Sequence, residues 1–313
     1  MSLLAERTAT EVAIRNLLLA TDFSAVSEAA LPYVTAISLR YGGNIHVVHA
    51  LPDTVLVRSG APDPAVMGSI YEHVHSPAQE KIQQLAKQLR GYPHQTYVRH
   101  GDVSTVVREM IREHDIDLLV LGTHGRTGLG RLVMGSVAEE LFRRATCPVL
   151  TVGSRVPATA KVFESRHDHE MPPPQIRFRQ ILYATDFKED SAKNAAYAVS
   201  LAREFQSRLT LLHVIEQFGE DLYEHPGSID VALSRLEQLV PDCEGLRYKP
   251  EFMAEYGPPA EVILQIAGEY EADLSILGVR PARNEARPST HFGSSIAHKV
   301  VVGANCPVLT LRN

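Results

Sequence analysis

The sequence predicts an α/β protein made of two tandem doubly wound domains. Three observations carry that reading. The chain repeats itself: Thr21, Asp22 and Phe23 match Thr185, Asp186 and Phe187, and His49 matches His213 at the same offset of 164. Each half alternates short apolar runs with longer amphipathic stretches. The runs NLLLA and LLVLG are continuously apolar, as expected of parallel strands covered on both faces. The halves also end alike, in TCPVLTV at 146–152 and NCPVLTL at 305–311.

In the first half, NLLLA reads as a buried strand. SAVSEAALPYVTAISLRYGG reads as one amphipathic helix, with Ser24 as its N-cap and Gly42–Gly43 as its stop. NIHVVHAL is the second strand. Residues 53–75 read as an insertion, with His73 and His75 facing solvent near its end. The next helix is SPAQEKIQQLAKQLRG, with Pro77 suited to its first turn. HQTYVRHG alternates as a half-exposed strand does. DVSTVVREMIREHD is a helix, DLLVLG a strand, SVAEELFRRAT a helix and PVLTV the fifth strand. Right-handed crossovers then make each half a doubly wound sheet. The proline- and charge-rich stretch between the halves reads as a linker, dividing the chain into domains at 1–154 and 177–313 with a linker at 155–176. His167 and His169 in that linker have no second ligand cluster with zinc-like spacing, so no metal site is expected there.

Composition narrows the function classes. The chain has 313 residues, 44% hydrophobic and 22% charged, with a net charge of -6. That balance favours neither nucleic acid nor an anionic membrane surface as a partner. No apolar run approaches the about 18 residues a membrane helix needs. The first 16 residues do not read as a signal peptide. Three cysteines form no disulfide framework, and Cys147 and Cys306 sit in matching CPVLT contexts as packed residues. A reducing, cytoplasmic compartment fits this usage.

The stretch GTHGRTGLGRLVMGS, residues 122–136, holds five glycines and two arginines directly after a buried strand. In a doubly wound sheet, ligands bind beyond the carboxyl ends of the strands. Three pieces of the first half lie at that edge: ATDFS, the end of NIHVVHAL, and this loop. Glycines let backbone N–H groups approach an anion without an intervening Cβ. Gly135 and Ser136 open a helix whose first N–H groups and dipole favour phosphate. His124 donates to a phosphate or packs on the loop, and Arg126 and Arg131 contact the ligand or face water. Asp22 accepts hydrogen bonds from ribose hydroxyls or caps the first helix. The backbone at Ala50 is placed to read an adenine edge. No dinucleotide fingerprint follows the first strand, and no Walker lysine is present.

The loop resembles the Gly-x2-Gly-x9-Gly-Ser/Thr pattern of ATP-binding universal stress proteins, through Gly122, Gly125, Gly135 and Ser136. ATDFS, the HAL turn, the GD-plus-helix at 101–113 and CPVLTV are similar to that family as well. The resemblance covers both halves apart from the linker and the 53–75 insertion. It implies a five-stranded parallel sheet with helices on both faces in each domain. It also implies ATP, with Mg²⁺, held by Asp22, the backbone at Ala50, and Gly122, Gly125, Gly135 and Ser136, with Thr21, His124, Arg126 and Val137 as neighbours. Family domains pair through their last strands, so the two halves are expected to pair within the chain through PVLTV and PVLTL, with a homodimer as a further expectation.

The second half departs from the pattern. Gly278 is kept, but Pro281 stands where the second glycine belongs, and it has no N–H to offer. The spacing from Gly278 to Gly293 is 15, against 13 from Gly122 to Gly135. Asp186, Val214 and Gly293–Ser294 remain. The expectation is therefore one competent nucleotide site and one degenerate half, in a stress-response switch or sensor. No catalytic residue is assigned, and any ATP hydrolysis is expected to be slow and incidental. Two alternatives stand beside it: an adenine-nucleotide enzyme, which lacks the SGGxDS-type loop here, and an interaction module whose loop is vestigial.

Overall fold

The computed structural model describes residues 12–51, 64–123, 134–156, 177–216, 228–279 and 295–312. They form two compact units. One holds residues 14–156 together with 295–312; the other holds 177–279 with 12 and 13. The last helix and strand of the chain thus group with the first half.

The first unit begins with β1 (Asn16–Ala20), whose Leu17, Leu18 and Leu19 are wholly buried. A short α1 (Ala25–Glu28) and then α2 (Leu31–Tyr41) lead to β2 (Asn44–Leu51). The sequence suggests a single helix here. The structure breaks it at residues 29–30, because Pro32 lacks the N–H that would continue α1 and instead sits in the first turn of α2. Both caps read from the sequence are present. The Ser24 hydroxyl accepts from the Ser27 N–H, and Gly42 closes α2 in the left-handed region at φ 67°.

Next comes α3 (Pro64–Gln88), a 25-residue helix. The sequence suggests a helix from Ser76, with Pro77 in its first turn, after an insertion at 53–75. Instead the helix runs through Pro77 and starts at Pro64, where a missing N–H is harmless. His75 is half-buried and stacks on His100 at 5.7 Å, so it does not simply face solvent. The half-exposed β3 (His94–His100), α4 (Val103–Glu113, N-capped by Asp102), β4 (Leu118–Gly122), α5 (Ser136–Arg144) and β5 (Val149–Val152) complete the first half.

In the second unit, β6 (Gln180–Thr185), α6 (Ser191–Phe205), β7 (Arg208–Ile215), α7 (Ser228–Leu239), β8 (Glu251–Tyr256), α8 (Pro259–Glu269) and β9 (Leu274–Gly278) repeat that order. The chain closes with α9 (Ile296–Gly303) and β10 (Val308–Leu311).

The first unit's strands run parallel in the order β3-β2-β1-β4-β5, with β10 antiparallel against β5. Leu150 faces Leu309 across that antiparallel ladder, and the hydroxyls of Thr151 and Thr310 donate to the carbonyls of Val308 and Val149. In the second unit the parallel order is β9-β6-β7-β8. Both units use one device at the amino edge of the sheet. The Asp117 carboxylate accepts from the N–H groups of Arg15 and Asn16 at 2.7 and 2.9 Å. Asp273 does the same for Arg179 and Gln180 at 2.7 and 3.1 Å. Each carboxylate fixes where the first strand starts and satisfies two N–H groups there. Cys147 and Cys306 are buried thiols in no disulfide, and burial pushes the Cys147 pKa up to about 11.

Candidate functional site

The strand register brings the carboxyl-edge segments together. Ala20 pairs with Val48 on one side and Leu121 on the other, and Leu121 pairs with Thr151. Asp22 and Ala50 each lie two residues past that row, and Gly122 lies one past it. The edge lies beside β1 and β4, where the crossover from β1 runs to β2 on one side and the chain returns from β3 to β4 on the other, the topological switch point of such a sheet.

The turn after β1 is tightly braced. The Thr21 N–H donates to the Val48 carbonyl at 3.0 Å. Its hydroxyl accepts from the Phe23 N–H at 3.0 Å and lies 3.1 Å from the Ser27 hydroxyl. Thr21 is buried, so its side chain holds the turn from within. One Asp22 carboxylate oxygen accepts from the Ser24 N–H at 3.0 Å, an Asx turn. Ser24, not Asp22, is the N-cap of α1. Asp22 is half-buried at the strand edge, where a carboxylate can accept from hydroxyls.

Gly122 has a packing reason to be glycine. A Cβ built there would lie 3.0 Å from the Val26 carbonyl group and 3.0 Å from the Ser27 nitrogen. The end of β4 therefore touches the backbone of α1, and α1 follows directly on the Asp22 turn. Beyond it, Thr123 is buried, and its N–H donates to the Val152 carbonyl at 3.1 Å. The chain returns at Gly135, whose N–H donates to the Thr123 carbonyl at 2.9 Å. That bond pins the start of α5 beside the end of β4. It also commits the Gly135 N–H, leaving the N–H groups of Ser136 and Val137 as the helix-start donors. The cap residue makes no side-chain hydrogen bond into the first turn. Those first-turn N–H groups have no carbonyl partner within the helix. Gly135 has φ -62° and ψ 144°, which any residue adopts. His124, Gly125, Arg126 and Arg131 lie outside the described residues, as do the side chains of Ser136 and Val137.

The second unit keeps the turn and changes its surroundings. The Thr185 hydroxyl accepts from the Phe187 N–H at 3.2 Å, and Asp186 accepts from the Lys188 N–H at 3.2 Å. Lys188 also pairs with Asp186 through its ammonium at 2.6 Å, where the first half has the neutral Ser24. Beneath the turn, Tyr183 replaces Leu19. The Tyr183 hydroxyl donates to the Ser191 carbonyl at 3.0 Å, and burial raises its pKa to about 12. Among the described residues, a Cβ at Gly278 would meet the Asn194 amide, 2.6 Å away. Pro281, Gly293 and Ser294 lie outside the described residues, as do His167 and His169 of the linker.

Sequence reasoning singled out His49 and His213 as a repeat and gave them no role. The structure shows what they touch. The His49 Nδ1 donates to the Thr21 carbonyl at 2.8 Å, and its ring packs on Phe23. The signal in the sequence was the shared 164-residue offset of TDF and His.

Among the described residues, no group of three His, Cys, Asp or Glu side chains is arranged to hold a metal ion. None of their helices is long and apolar enough to cross a membrane. What the first unit's carboxyl edge offers is a carboxylate, the half-buried strand end at Ala50 and a helix start whose cap, Gly135, has no side chain. That is the carboxyl edge of a doubly wound α/β domain, a topology the chain repeats. A sequence model of the universal stress protein family matches residues 13–153 and again 177–312. The chain belongs to the universal stress protein family, as a tandem member. A universal stress protein of Methanocaldococcus jannaschii is 29% identical over 140 residues, covering 44% of this chain and 81% of that protein. One from Thermus aquaticus is 33% identical over 141 residues, covering 43% of this chain and 99% of its own length. Each thus corresponds to less than half of this chain. The crystal structure of a universal stress protein from Archaeoglobus fulgidus superposes with a TM-score of 0.67 at 19% identity, covering 95% of this chain and 96% of that one. That likeness speaks to the fold.

Proposed function

We propose that the first half binds one adenine nucleotide, ATP with Mg²⁺, and that the protein works as a nucleotide-dependent switch in the cytoplasmic stress response. The observation that carries this reading is the convergence of Asp22, Ala50 and the open start of α5 on one strand edge. Asp22 would accept from the ribose hydroxyls, and the backbone at Ala50 would meet the adenine edge. The N–H groups of Ser136 and Val137 would meet the phosphates at the positive end of the α5 dipole. Gly125, His124 and Arg126 would complete the phosphate loop, and Gly122 lets the Asp22 turn pack close to it. Mg²⁺ would arrive on the phosphates and neutralise part of their charge.

The second half is the degenerate partner in this reading. Pro281 removes a loop donor, and Lys188 already lies against Asp186. Its last strand serves instead in assembly: the β5–β10 ladder supports pairing of the halves within the chain, and a homodimer extends the same logic. ATP turnover is not required by the reading. Release of the bound nucleotide by heat and its identification by chromatography test it. ATP released from the purified protein agrees with the switch, steady conversion of added ATP to ADP or AMP favours an enzyme, and no nucleotide at all favours an interaction module.

A further inference from the structure

We propose that His49 is a positioning residue of the nucleotide site: it clamps the turn after β1 in the conformation that presents Asp22 beside the end of β2. The inference rests on the nucleotide reading above. Its starting point is the backbone of Phe23, which lies in the left-handed region at φ 60°. A bulky residue there is uncommon and strained. Such a conformation persists only where its surroundings hold it.

The holding contacts come from the neighbouring strand β2 and from α3. A carbonyl oxygen can only accept, so the His49 Nδ1 carries the proton in its 2.8 Å bond to the Thr21 carbonyl. The His49 ring lies on the Phe23 ring with centroids 4.4 Å apart, tilted by 38°. The Lys81 ammonium sits over Phe23 at 5.9 Å. His49 therefore grips the turn on both sides of Asp22, at Thr21 and at Phe23. It also directly precedes Ala50. One buried side chain thus fixes the spacing between the ribose-facing carboxylate and the adenine-facing backbone.

The second unit repeats the clamp while its surroundings differ. Phe187 has φ 56°. The His213 Nδ1 donates to the Thr185 carbonyl at 2.9 Å, and its ring lies 4.2 Å from Phe187, tilted by 35°. Arg235 takes the place of Lys81, with its guanidinium 4.1 Å from the Phe187 ring. Leu19 has become Tyr183 and Ser24 has become Lys188, yet the clamp geometry is the same. The strained turn and its histidine travel together, so the histidine is tied to the turn and not to the neighbours that changed.

The test measures two things on the full chain: ATP–Mg²⁺ affinity by calorimetry, and hydrogen exchange of the Phe23 and Ser24 amides, which bond Thr21 and Asp22. Wild type is titrated first; failure to bind ATP overturns the nucleotide reading before any variant is made. His49→Ala is expected to lower affinity about tenfold and to speed exchange at both amides about tenfold, the loss of one buried hydrogen bond. His49→Asn keeps an N–H donor at the Nδ1 position and is expected to recover most of both. His213→Ala removes the matching clamp and is expected to speed exchange at Phe187 and Lys188 with ATP affinity unchanged. Unchanged exchange in His49→Ala overturns the clamp. Faster exchange with unchanged affinity overturns the positioning role. Equal loss of affinity in His213→Ala assigns the effect to general destabilisation and overturns the proposal as well.

Discussion

Replacing Gly122 by alanine puts a methyl carbon where there is no room for one. Its nearest neighbours would be the Val26 carbonyl carbon and oxygen and the Ser27 nitrogen, all at 3.0 Å. Contacts that short are tighter than ordinary packing, so α1 must give by a few tenths of an ångström. All three atoms are backbone, and α1 is anchored by the Ser24 cap and the Thr21–Ser27 hydroxyl contact. Overpacking of this kind costs about 1–3 kcal/mol. Loss of glycine freedom in the unfolded chain offsets about 0.4–1 kcal/mol of that. The net expectation is a destabilisation of about 1–2 kcal/mol, a fall in melting midpoint of roughly 2–4 °C per kcal/mol for a domain of this size. Gly278→Ala is the control. There the new carbon meets the tip of the Asn194 side chain and not a backbone, so a smaller cost than at Gly122 is expected. Thermal melts of both variants decide the matter. A Gly122→Ala protein as stable as wild type, or equal losses in both variants, would refute the argument that backbone proximity to α1 dictates glycine at the end of β4.

Asp22→Asn removes the charge facing the ribose and keeps the shape of the turn; ATP affinity should fall about 10–100-fold by calorimetry, the range for a hydrogen bond to a charged group. Gly135→Val places a branched side chain at a backbone conformation that tolerates it, so ATP binding should be lost while the melting midpoint moves by no more than an ordinary cap change. A pH effect is expected far from the site. His46 is buried against the His114 ring at 4.5 Å and lies 3.3 Å from the Tyr97 hydroxyl. Burial first, and His114 second, hold its pKa below 6.5. Because the unfolded chain then binds the proton more readily, stability falls as pH drops through the unfolded value. His46→Asn should flatten the dependence of the urea midpoint between about pH 7 and pH 5.5.

The sequence makes the strands and most helix limits legible because those features are written in local chemistry. Leu17–Leu19 and Leu118–Leu121 are apolar runs with one reasonable fate, and Ser24 and Gly42 are caps with a mechanism. Prolines mislead where two local rules compete. Pro32 falls inside the single helix read from the sequence and in fact sits in the first turn of α2, whereas Pro77 reads as a first-turn residue and lies within α3. The candidate site is legible as a set of segments, since the repeat and the glycine pattern pick out Asp22, Ala50 and Gly122 together. Its inner workings are not, because they depend on contacts distant in the chain. Gly122 is glycine for the sake of α1, the Gly135 N–H is spent on Thr123, and His49 holds a turn 28 residues away. Of those pairings only the last leaves a trace, in the shared 164-residue offset of TDF and His. The segment from His124 to Val133 carries much of the motif and lies outside the described residues.

The most direct test of the account is a calorimetric titration of the nucleotide-free protein with ATP and Mg²⁺. The account predicts saturation at about one ATP per chain, the site of the first half alone. Saturation at two would show that Pro281 and Lys188 do not disable the second half, and no binding at all would contradict the nucleotide site itself.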